Sequence, residues 1–348
     1  MIQDYLIYLI NVGLQSVQEY LALHVLLCLV PAFFLAGAIA SLFSKESVLK
    51  YFGADTPKYI SYSVAAVSGC LLAVCSCTVL PLFAGIYKRG AGIGPATTFL
   101  FSAPAINILA IVYTAKILGY DLGAFRAVAA ILLSVVIGLT MAAIYDRKNG
   151  EHKDIKTFNS EHHTHTIQIF LLLLAILVVP EIIKSWTYLT LLEIPLIVAT
   201  VYLSFKWYSK EERESWMQET WFLVKMIAPL LLIGVFFAGI IVDLLPSEIV
   251  VKYVGGGSFM SYFVASVAAA LMYFSTLTEV PIINALTLLG MSKGPALSML
   301  LAGPALSLPN MIVISRVMGL QKGLSYIFLV VVISMVSGLI FDYYLIFE

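Results

Sequence analysis

Residues 75–107 read CSCTVLPLFAGIYKRGAGIGPATTFLFSAPAIN, and residues 275–307 read STLTEVPIINALTLLGMSKGPALSMLLAGPALS. The two stretches carry prolines and glycines at the same spacing, offset by 200 residues: Pro81, Gly90, Gly94, Pro95 and Pro104 in the first, and Pro281, Gly290, Gly294, Pro295 and Pro304 in the second. Each proline removes a backbone donor and clashes with the preceding helical turn. The motif therefore predicts a pair of interrupted helices that occurs twice.

The duplication continues on both sides of this motif. Downstream, Gly119, Gly123, Ser134 and Gly138 match residues of the same type 200 positions later. Upstream, FLAGAIASLFSKESVLKYFG from Phe34 matches FFAGIIVDLLPSEIVVKYVG from Phe236 at an offset of 202. We therefore predict two structural repeats of four apolar segments each, with two unmatched segments between them.

The composition indicates a membrane protein. The chain has 348 residues, 61% of them hydrophobic and 11% charged, with a mean hydropathy of +0.98. Soluble domains are about half apolar and about a quarter charged. A net charge of +0 offers no basic surface, so we expect no nucleic acid as a partner. From the apolar composition we expect the lipid bilayer and a small-molecule substrate as partners.

About ten apolar runs are long enough to cross a hydrocarbon core of about 30 Å as helices. We predict an all-α polytopic membrane protein of about ten transmembrane helices, whose Pro- and Gly-broken helices meet near the midplane. The predicted segments are residues 21–43, 60–87, 91–118, 123–145, 167–186, 189–206, 220–243, 258–287, 294–317 and 323–346.

The predicted organisation has five parts. They are an amphipathic N-terminal helix at residues 1–20, a first four-helix repeat at 21–145, a polar His-containing loop at 146–166, a central helix pair and loop at 167–219, and a second four-helix repeat at 220–348. With ten crossings, the two polar stretches, the Lys88-Arg89 turn and both termini share one side. Its small excess of Lys and Arg marks that side as cytoplasmic.

The orientation of the repeats depends on the number of crossings between equivalent positions. The ten-segment count gives an even number, which predicts parallel repeats. An odd number would make the repeats inverted, and both arrangements occur in secondary transporters.

Two cysteines precede the first break, and hydroxyl and carboxyl groups precede the second. Cys75 and Cys77 offer soft sulfur ligands, which favour thiophilic metals or metalloids. The equivalent stretch carries Thr278 and Glu279. The alternative is that these cysteines are small buried hydrophobic residues, since C-x-C on a regular helix directs its sulfurs apart.

Glu279 is the ionisable residue that we single out most firmly, because an intramembrane carboxylate beside a helix break is a candidate functional group. Burial disfavours its charged form, which would suit proton coupling. A carboxylate neutralised by a helix end or a nearby cation is the alternative. The breaks themselves, with equivalent polar residues beyond the second proline, complete the predicted substrate-binding set: Cys75, Cys77, Thr78, Pro81, Pro104, Asn107, Thr278, Glu279, Pro281, Pro304 and Ser307.

Other chemistry is not predicted. The chain lacks a G-x-x-x-x-G-K-S/T loop for ATP, and no nucleophile and base pair stands out. The histidines of the 146–166 loop resemble a metal-binding tract but lie in a flexible segment. We expect no catalytic residues, no cofactor and no resident metal.

With its C-S-C-x-x-x-P stretch, basic pair, Gly-rich turn and F-L-x-x-P-A-x-N stretch, the sequence resembles the ArsP/YraQ-like permease family. The resemblance covers both repeats. It implies a multi-pass permease of the cytoplasmic membrane. The best-understood members of the family export trivalent organoarsenicals such as methylarsenite. The family's thiol motif falls on Cys75 and Cys77 and its breaks on Pro81 and Pro104, whereas Thr78 stands where many relatives have glycine.

The leading hypothesis is a secondary permease that exports a small thiophilic solute, a trivalent organoarsenical by resemblance, with Glu279 coupling export to protons. One alternative is a permease or channel for another small solute, such as a sulfur compound or an anion. A second is a membrane redox or assembly protein that uses its cysteines. Small residues on several helices are compatible with a homo-oligomer, without fixing its size.

Overall fold

The computed structural model describes residues 2–21, 29–42, 51–53, 56–72, 76–146, 163–182, 186–244, 253–254, 258–272 and 279–346. Within these ranges the protein forms fifteen helices and no strand. The helices are α1 Ile2–Tyr20, α2 Val30–Ser41, α3 Lys58–Leu72, α4 Ser76–Lys88, α5 Ile93–Ala105, α6 Ile108–Leu118, α7 Tyr120–Tyr145, α8 His163–Ile182, α9 Trp186–Trp207, α10 Lys210–Leu244, α11 Phe259–Leu271, α12 Glu279–Leu288, α13 Lys293–Ala305, α14 Leu308–Met318 and α15 Leu320–Ile346.

Three of the described helices, α7, α10 and α15, are long and apolar enough to cross a membrane. Two bent pairs, α5 with α6 and α13 with α14, raise this number to five if each pair forms one span. The predicted all-helical, polytopic fold is confirmed, and the number of ten crossings is not.

The bent pairs contain the predicted helix breaks. The α5–α6 pair bends by 48° and the α13–α14 pair by 50°, each just after the second proline of the motif. Gly119 and Gly319 end these pairs with φ of +113° and +88°. Because residues with a side chain rarely adopt such angles, glycine allows the chain to reverse there into the long helices α7 and α15.

Contacts between the two long helices define two ends of the molecule. At one end, which we call the Lys88 end, Tyr145 at the end of α7 bonds Ser325 near the start of α15 (2.7 Å between the hydroxyls). Lys322 of α15 bonds the Tyr87 hydroxyl at 3.3 Å, which places the end of α4 there too.

The opposite end, which we call the Asp121 end, contains the start of α7 and the end of α15. The Phe125 and Phe341 rings lie 4.8 Å apart, and Lys293 at the start of α13 bonds Asp121 at 2.5 Å. Helices α7 and α15, which occupy equivalent positions 200 residues apart in the sequence, therefore run antiparallel.

Two helix pairs each begin and finish at the same end of the molecule. Tyr62 of α3 bonds the Gly138 carbonyl near the Lys88 end (3.4 Å), which is also where α4 finishes. Tyr262 of α11 bonds Asp342 at the Asp121 end (2.7 Å), where α12 finishes. We call α3–α4 the first hairpin and α11–α12 the second hairpin.

These hairpins correct the sequence-based topology. Residues 60–87 and 258–287 were each predicted as one crossing, whereas the structure divides each into two helices of 10 to 15 residues. Such helices extend about 15 to 23 Å, which is less than the hydrocarbon thickness of about 30 Å. Each predicted crossing is instead a hairpin that begins and ends on one side.

Treating the hairpins as non-crossing changes the orientation of the repeats. The number of crossings between equivalent positions becomes odd, which agrees with the antiparallel α7 and α15 and predicts inverted rather than parallel repeats. The end of α15 consequently lies at the Asp121 end, opposite the Lys88-Arg89 turn. Equivalent close contacts occur in both halves: a Cβ added to Gly138 would lie 2.7 Å from the Gly94 carbonyl, and one on Gly338 2.5 Å from the Gly294 carbonyl.

The two halves interlock across the centre. Helix α4 of the first hairpin packs against α14, and α12 of the second hairpin packs against α6. Each hairpin therefore contacts the segment that follows the helix break in the other half. Helices α8 and α9 pair with each other, with the His165 and Trp207 rings stacked at 4.4 Å, and α8 packs against α2.

The inverted arrangement predicts that equivalent turns face opposite sides of the membrane. Single cysteines at Arg89 and Leu289, in a background with the four native cysteines changed to serine, should react with a membrane-impermeant maleimide from opposite sides. Labelling in right-side-out and inverted vesicles measures this. Reaction of both positions from the same side would contradict the inverted topology, and the cysteine-free background is the control.

Candidate functional site

The structure locates most of the predicted first-half site residues. Cys75 and Thr278 lie outside the described residues, and Cys77 is the second residue of α4. Thr78 follows on α4 and is 1% exposed. Pro81 is also buried within α4.

The helix breaks are buried in both halves. Pro104 and Pro304 lie in the last turns of α5 and α13, and Asn107 and Ser307 follow them in the bends. Pro281, in contrast, lies on an exposed face of α12, whereas Glu279 on the same helix is buried.

Glu279 lies at the start of α12, and its side chain is 1% exposed. Its Oε2 atom lies 3.4 Å from Nη2 of Arg126, which is 0% exposed on α7. The pair joins the second hairpin to the long helix of the opposite half. A buried carboxylate is thus compensated by a buried cation.

Arg126 is held from its other side by α6. Its Nη1 atom donates to the Thr114 hydroxyl at 2.8 Å, and Thr114 donates in turn to the Ala110 carbonyl at 2.7 Å. The guanidinium is therefore fixed by Thr114 through a short hydrogen bond and by Glu279 through a long one. Of the two hydrogen bonds, the one to Glu279 has the longer distance, although it joins opposite charges.

The charged pair is incompletely satisfied. Neither Oε1 of Glu279 nor Nε of Arg126 has a hydrogen-bond partner among the described residues. Buried charges are stabilised only when their remaining donors and acceptors are also paired. Among the described residues, each partner of the pair therefore keeps one buried polar atom whose hydration is not replaced by a hydrogen bond.

Gly303 of α13 lies against Oε1 of Glu279, the carboxylate oxygen that has no hydrogen-bond partner among the described residues. A Cβ at this position would be 2.6 Å from Oε1 of Glu279, which is closer than real contacts allow. The absence of a side chain thus lets α13 approach the carboxylate, and the second proline break lies at the neighbouring residue, Pro304.

Arg126 was not singled out from the sequence. It lies within the predicted crossing 123–145, where an arginine in an apolar run is a candidate functional group by the same reasoning that selected Glu279. Its position near the beginning of the run also suited an interfacial cation. Only the tertiary structure shows that it reaches Glu279.

The pair has no charged counterpart at the equivalent positions. Arg126 corresponds to Tyr326 and Glu279 to Val79, 200 residues away in each case, and both counterparts are buried. Thr114 corresponds to Ile314. The sequence motif is duplicated, whereas the charged pair lies only where the second hairpin meets α7.

The described side chains around the pair set the chemistry that the site offers. In the part of the chain that the structure describes, no group of three or more His, Cys, Asp or Glu residues is arranged to hold a metal ion. The site offers one carboxylate, one guanidinium and buried hydroxyl and amide groups around the breaks.

Comparison with known proteins gives one family. The sequence model of a family described as "Predicted permease" (ArsP_1) matches residues 12–343. The chain is 46% identical to UPF0718 protein MJ0584 of Methanocaldococcus jannaschii over 357 aligned positions, which cover 97% of each chain. It is 23% identical to UPF0718 protein YraQ of Escherichia coli over 244 positions, 70% of this chain and 56% of that one. No solved structure matches the chain.

The buried pair predicts an asymmetric effect of removing each charge. Glu279→Gln leaves an arginine that cannot lose its charge, and breaking a buried pair in this way costs about 3–5 kcal/mol. Arg126→Gln should cost less, because a proton can neutralise the remaining carboxylate. The double variant should regain most of the loss, and thermal unfolding of the purified protein measures all three.

The exposed pair between Asp121 and Lys293 provides the matched control, since both side chains are at least a third exposed. Asp121→Asn should lower the free energy of unfolding by less than about 1 kcal/mol. Equal losses for Glu279→Gln and Asp121→Asn would show that the buried pair has no special role.

Proposed function

The chain belongs to the predicted-permease family whose sequence model it matches, and from this premise we propose that it is a proton-coupled secondary permease that exports a small thiophilic solute. Membership supports a multi-pass membrane protein that moves a small molecule, and a transporter rather than an enzyme. We place it in the cytoplasmic membrane, in keeping with the family resemblance.

The observation that carries the coupling proposal is the loosely held Glu279 carboxylate. It is buried, one oxygen lacks a described partner, and the other accepts one 3.4 Å contact from Arg126. Protonation removes the charge that attracts the guanidinium, and the second hairpin is then released from α7. Proton binding at Glu279 thereby changes the contact between the two halves.

The inverted repeat supplies the framework for alternating access. Two hairpins enter from opposite ends, and each packs against the broken span of the other half. In such folds a central site can be exposed to one side and then to the other by moving one repeat unit against its counterpart. Release of the Arg126 contact would favour one of these states.

The proposed cargo follows from the thiols at the first hairpin. Cys75 and Cys77 lie at the beginning of α4 or directly before it, and thiolates prefer soft centres. Trivalent arsenic bonds strongly to sulfur, which makes a trivalent organoarsenical the leading cargo. Two thiols permit exchange and release, whereas a closed four-ligand site would retain the solute.

One observation favours a second candidate. Arg126 is a buried cation whose Nε lacks a partner among described atoms, so a small anion, such as a sulfur oxyanion, can replace Glu279 as its ligand. In this case the cysteines serve packing. Transport of thiosulfate that depends on Arg126 and not on the cysteines would favour this candidate.

The thiol proposal predicts that Cys75→Ser with Cys77→Ser reduces methylarsenite uptake into inverted proteoliposomes to the level of empty vesicles. Serine keeps the size of the side chain but is a poor ligand for trivalent arsenic. Cys28→Ser is the control and should transport like the wild type. Undiminished uptake by the double variant would contradict the assignment.

The coupling proposal predicts that an imposed proton gradient accelerates uptake by the wild type. Glu279→Gln should lose this acceleration, because its side chain cannot exchange a proton, and Glu279→Asp should retain part of it. A folding defect would lower uptake at every gradient, whereas a loss of coupling removes only the acceleration. Uptake measured at several gradients therefore distinguishes the two. A gradient response that survives in Glu279→Gln would exclude Glu279 as the coupling residue.

A further inference from the structure

Tyr326 occupies the position in α15 that Arg126 occupies in α7. Its side chain is 0% exposed, and its hydroxyl has no hydrogen-bond partner among the described residues. A buried hydroxyl without a partner loses about 1–3 kcal/mol of hydration without compensation. Such a group suggests a ligand that is absent from the protein alone.

Two further unpartnered groups lie in the same half. Ser307 and Asn310 are 1% and 2% exposed, and the described residues provide no partner for the Ser307 hydroxyl or the Asn310 Oδ1 atom. They lie three positions apart at the start of α14, and Ile314 follows one turn later. Ser307 precedes α14 in an extended conformation, and because residues four apart share a helix face, Asn310 and Ile314 lie on one side of α14.

Tyr326 lies at about the same level along α15 as this face does along α14. A Cβ on Gly323 of α15 would lie 2.6 Å from the Cα of Ser315, which pairs the beginning of α15 with the end of α14. The antiparallel course then places Tyr326, about one turn further along α15, beside the segment around Ile314. In the other half the equivalent side chains, Arg126 and Thr114, bond directly.

The first hairpin faces this cluster. Helix α14 packs against α4, and Tyr326 and Val79 occupy the positions equivalent to Arg126 and Glu279. By this equivalence we place the Tyr326 hydroxyl on the side of Val79, whose side chain has no polar atom. Among the described residues the hydroxyl has no hydrogen-bond partner.

We infer that Ser307, Asn310 and Tyr326 form a hydrogen-bonding site for the cargo, and that this cargo is an uncharged solute carrying hydroxyl groups. This inference rests on the proposed function and deepens it. The solute then binds beside α14 and α15, where the first hairpin packs, and the proton binds where Glu279 of the second hairpin meets Arg126 of α7. The two tasks are divided between the two places at which a hairpin contacts the other half.

The groups themselves define the complementary solute. A tyrosine hydroxyl donates readily, an amide oxygen accepts, and a serine hydroxyl does either. A solute with hydroxyl groups offers both an acceptor and a donor to this set. A trivalent organoarsenical with hydroxyl groups on arsenic combines these groups with a thiophilic atom.

The charges near the cluster argue against an anion. Among the described residues, the buried charged side chains are Arg126, Glu193 and Glu279, and Arg126 already contacts Glu279. Lys322 lies one turn from Tyr326 toward the Lys88 end, where its ammonium group bonds Tyr87 at 3.3 Å. An uncompensated anion in such surroundings would lose much more hydration than a neutral solute.

The first test compares Tyr326→Phe with Tyr62→Phe in methylarsenite transport. Loss of one hydrogen bond to the cargo should raise the KM of Tyr326→Phe about threefold to tenfold and leave its thermal stability unchanged or higher. Tyr62→Phe removes a hydroxyl that bonds the Gly138 carbonyl, so its stability should fall while its KM remains. Asn310→Ala should raise the KM as Tyr326→Phe does.

A second test does not depend on transport. Hydroxyl-radical footprinting of the purified wild type should oxidise Tyr326 through a hydrated cavity and spare Tyr62, and methylarsenite should protect Tyr326. Absence of oxidation at Tyr326, or protection by thiosulfate alone, would overturn the inference. An unchanged KM in Tyr326→Phe would also overturn it, whereas failure of the wild type to respond to a proton gradient would refute only the proposed coupling.

Discussion

A membrane provides no water for unpaired backbone groups, and this constraint governs where the chain is allowed to break. The helices that end in the proline breaks are enclosed by protein: all thirteen residues of α5 are buried, as are twelve of thirteen in α13. The unbroken helices α7, α10 and α15 include exposed apolar faces. Broken helices thus occupy the centre and continuous helices surround them, because only protein or enclosed water can satisfy the freed backbone groups.

This central placement gives the two hairpins a common meeting region. Each hairpin reaches inward from one end and contacts the segment after the break in the other half. The buried groups of both halves consequently lie where a hairpin of one half packs against the other half. Secondary transporters place their sites where the broken helices of two halves meet, which agrees with a permease family.

The side chains differ at positions where the sequence motif is duplicated. Glu279 of the second hairpin, with Arg126 of α7 and Thr114 of α6, brings together a carboxylate, a cation and a threonine. The equivalent positions of the first hairpin, α15 and α14 carry a valine, a tyrosine and an isoleucine. Substitution has thus given equivalent positions different chemistry, one set charged and the other neutral.

The sequence by itself determined the membrane class and the helix breaks and singled out Glu279 as a candidate, because these depend on hydrophobicity, on proline geometry and on one charge in an apolar run. The tertiary structure decided the topology and the partner of Glu279. Hydropathy measures apolar length but not direction, so two hairpins were taken for single crossings, which made the repeats parallel. Arg126 lies 153 residues from Glu279, and only folding brings two such distant charges together in a space that water does not reach.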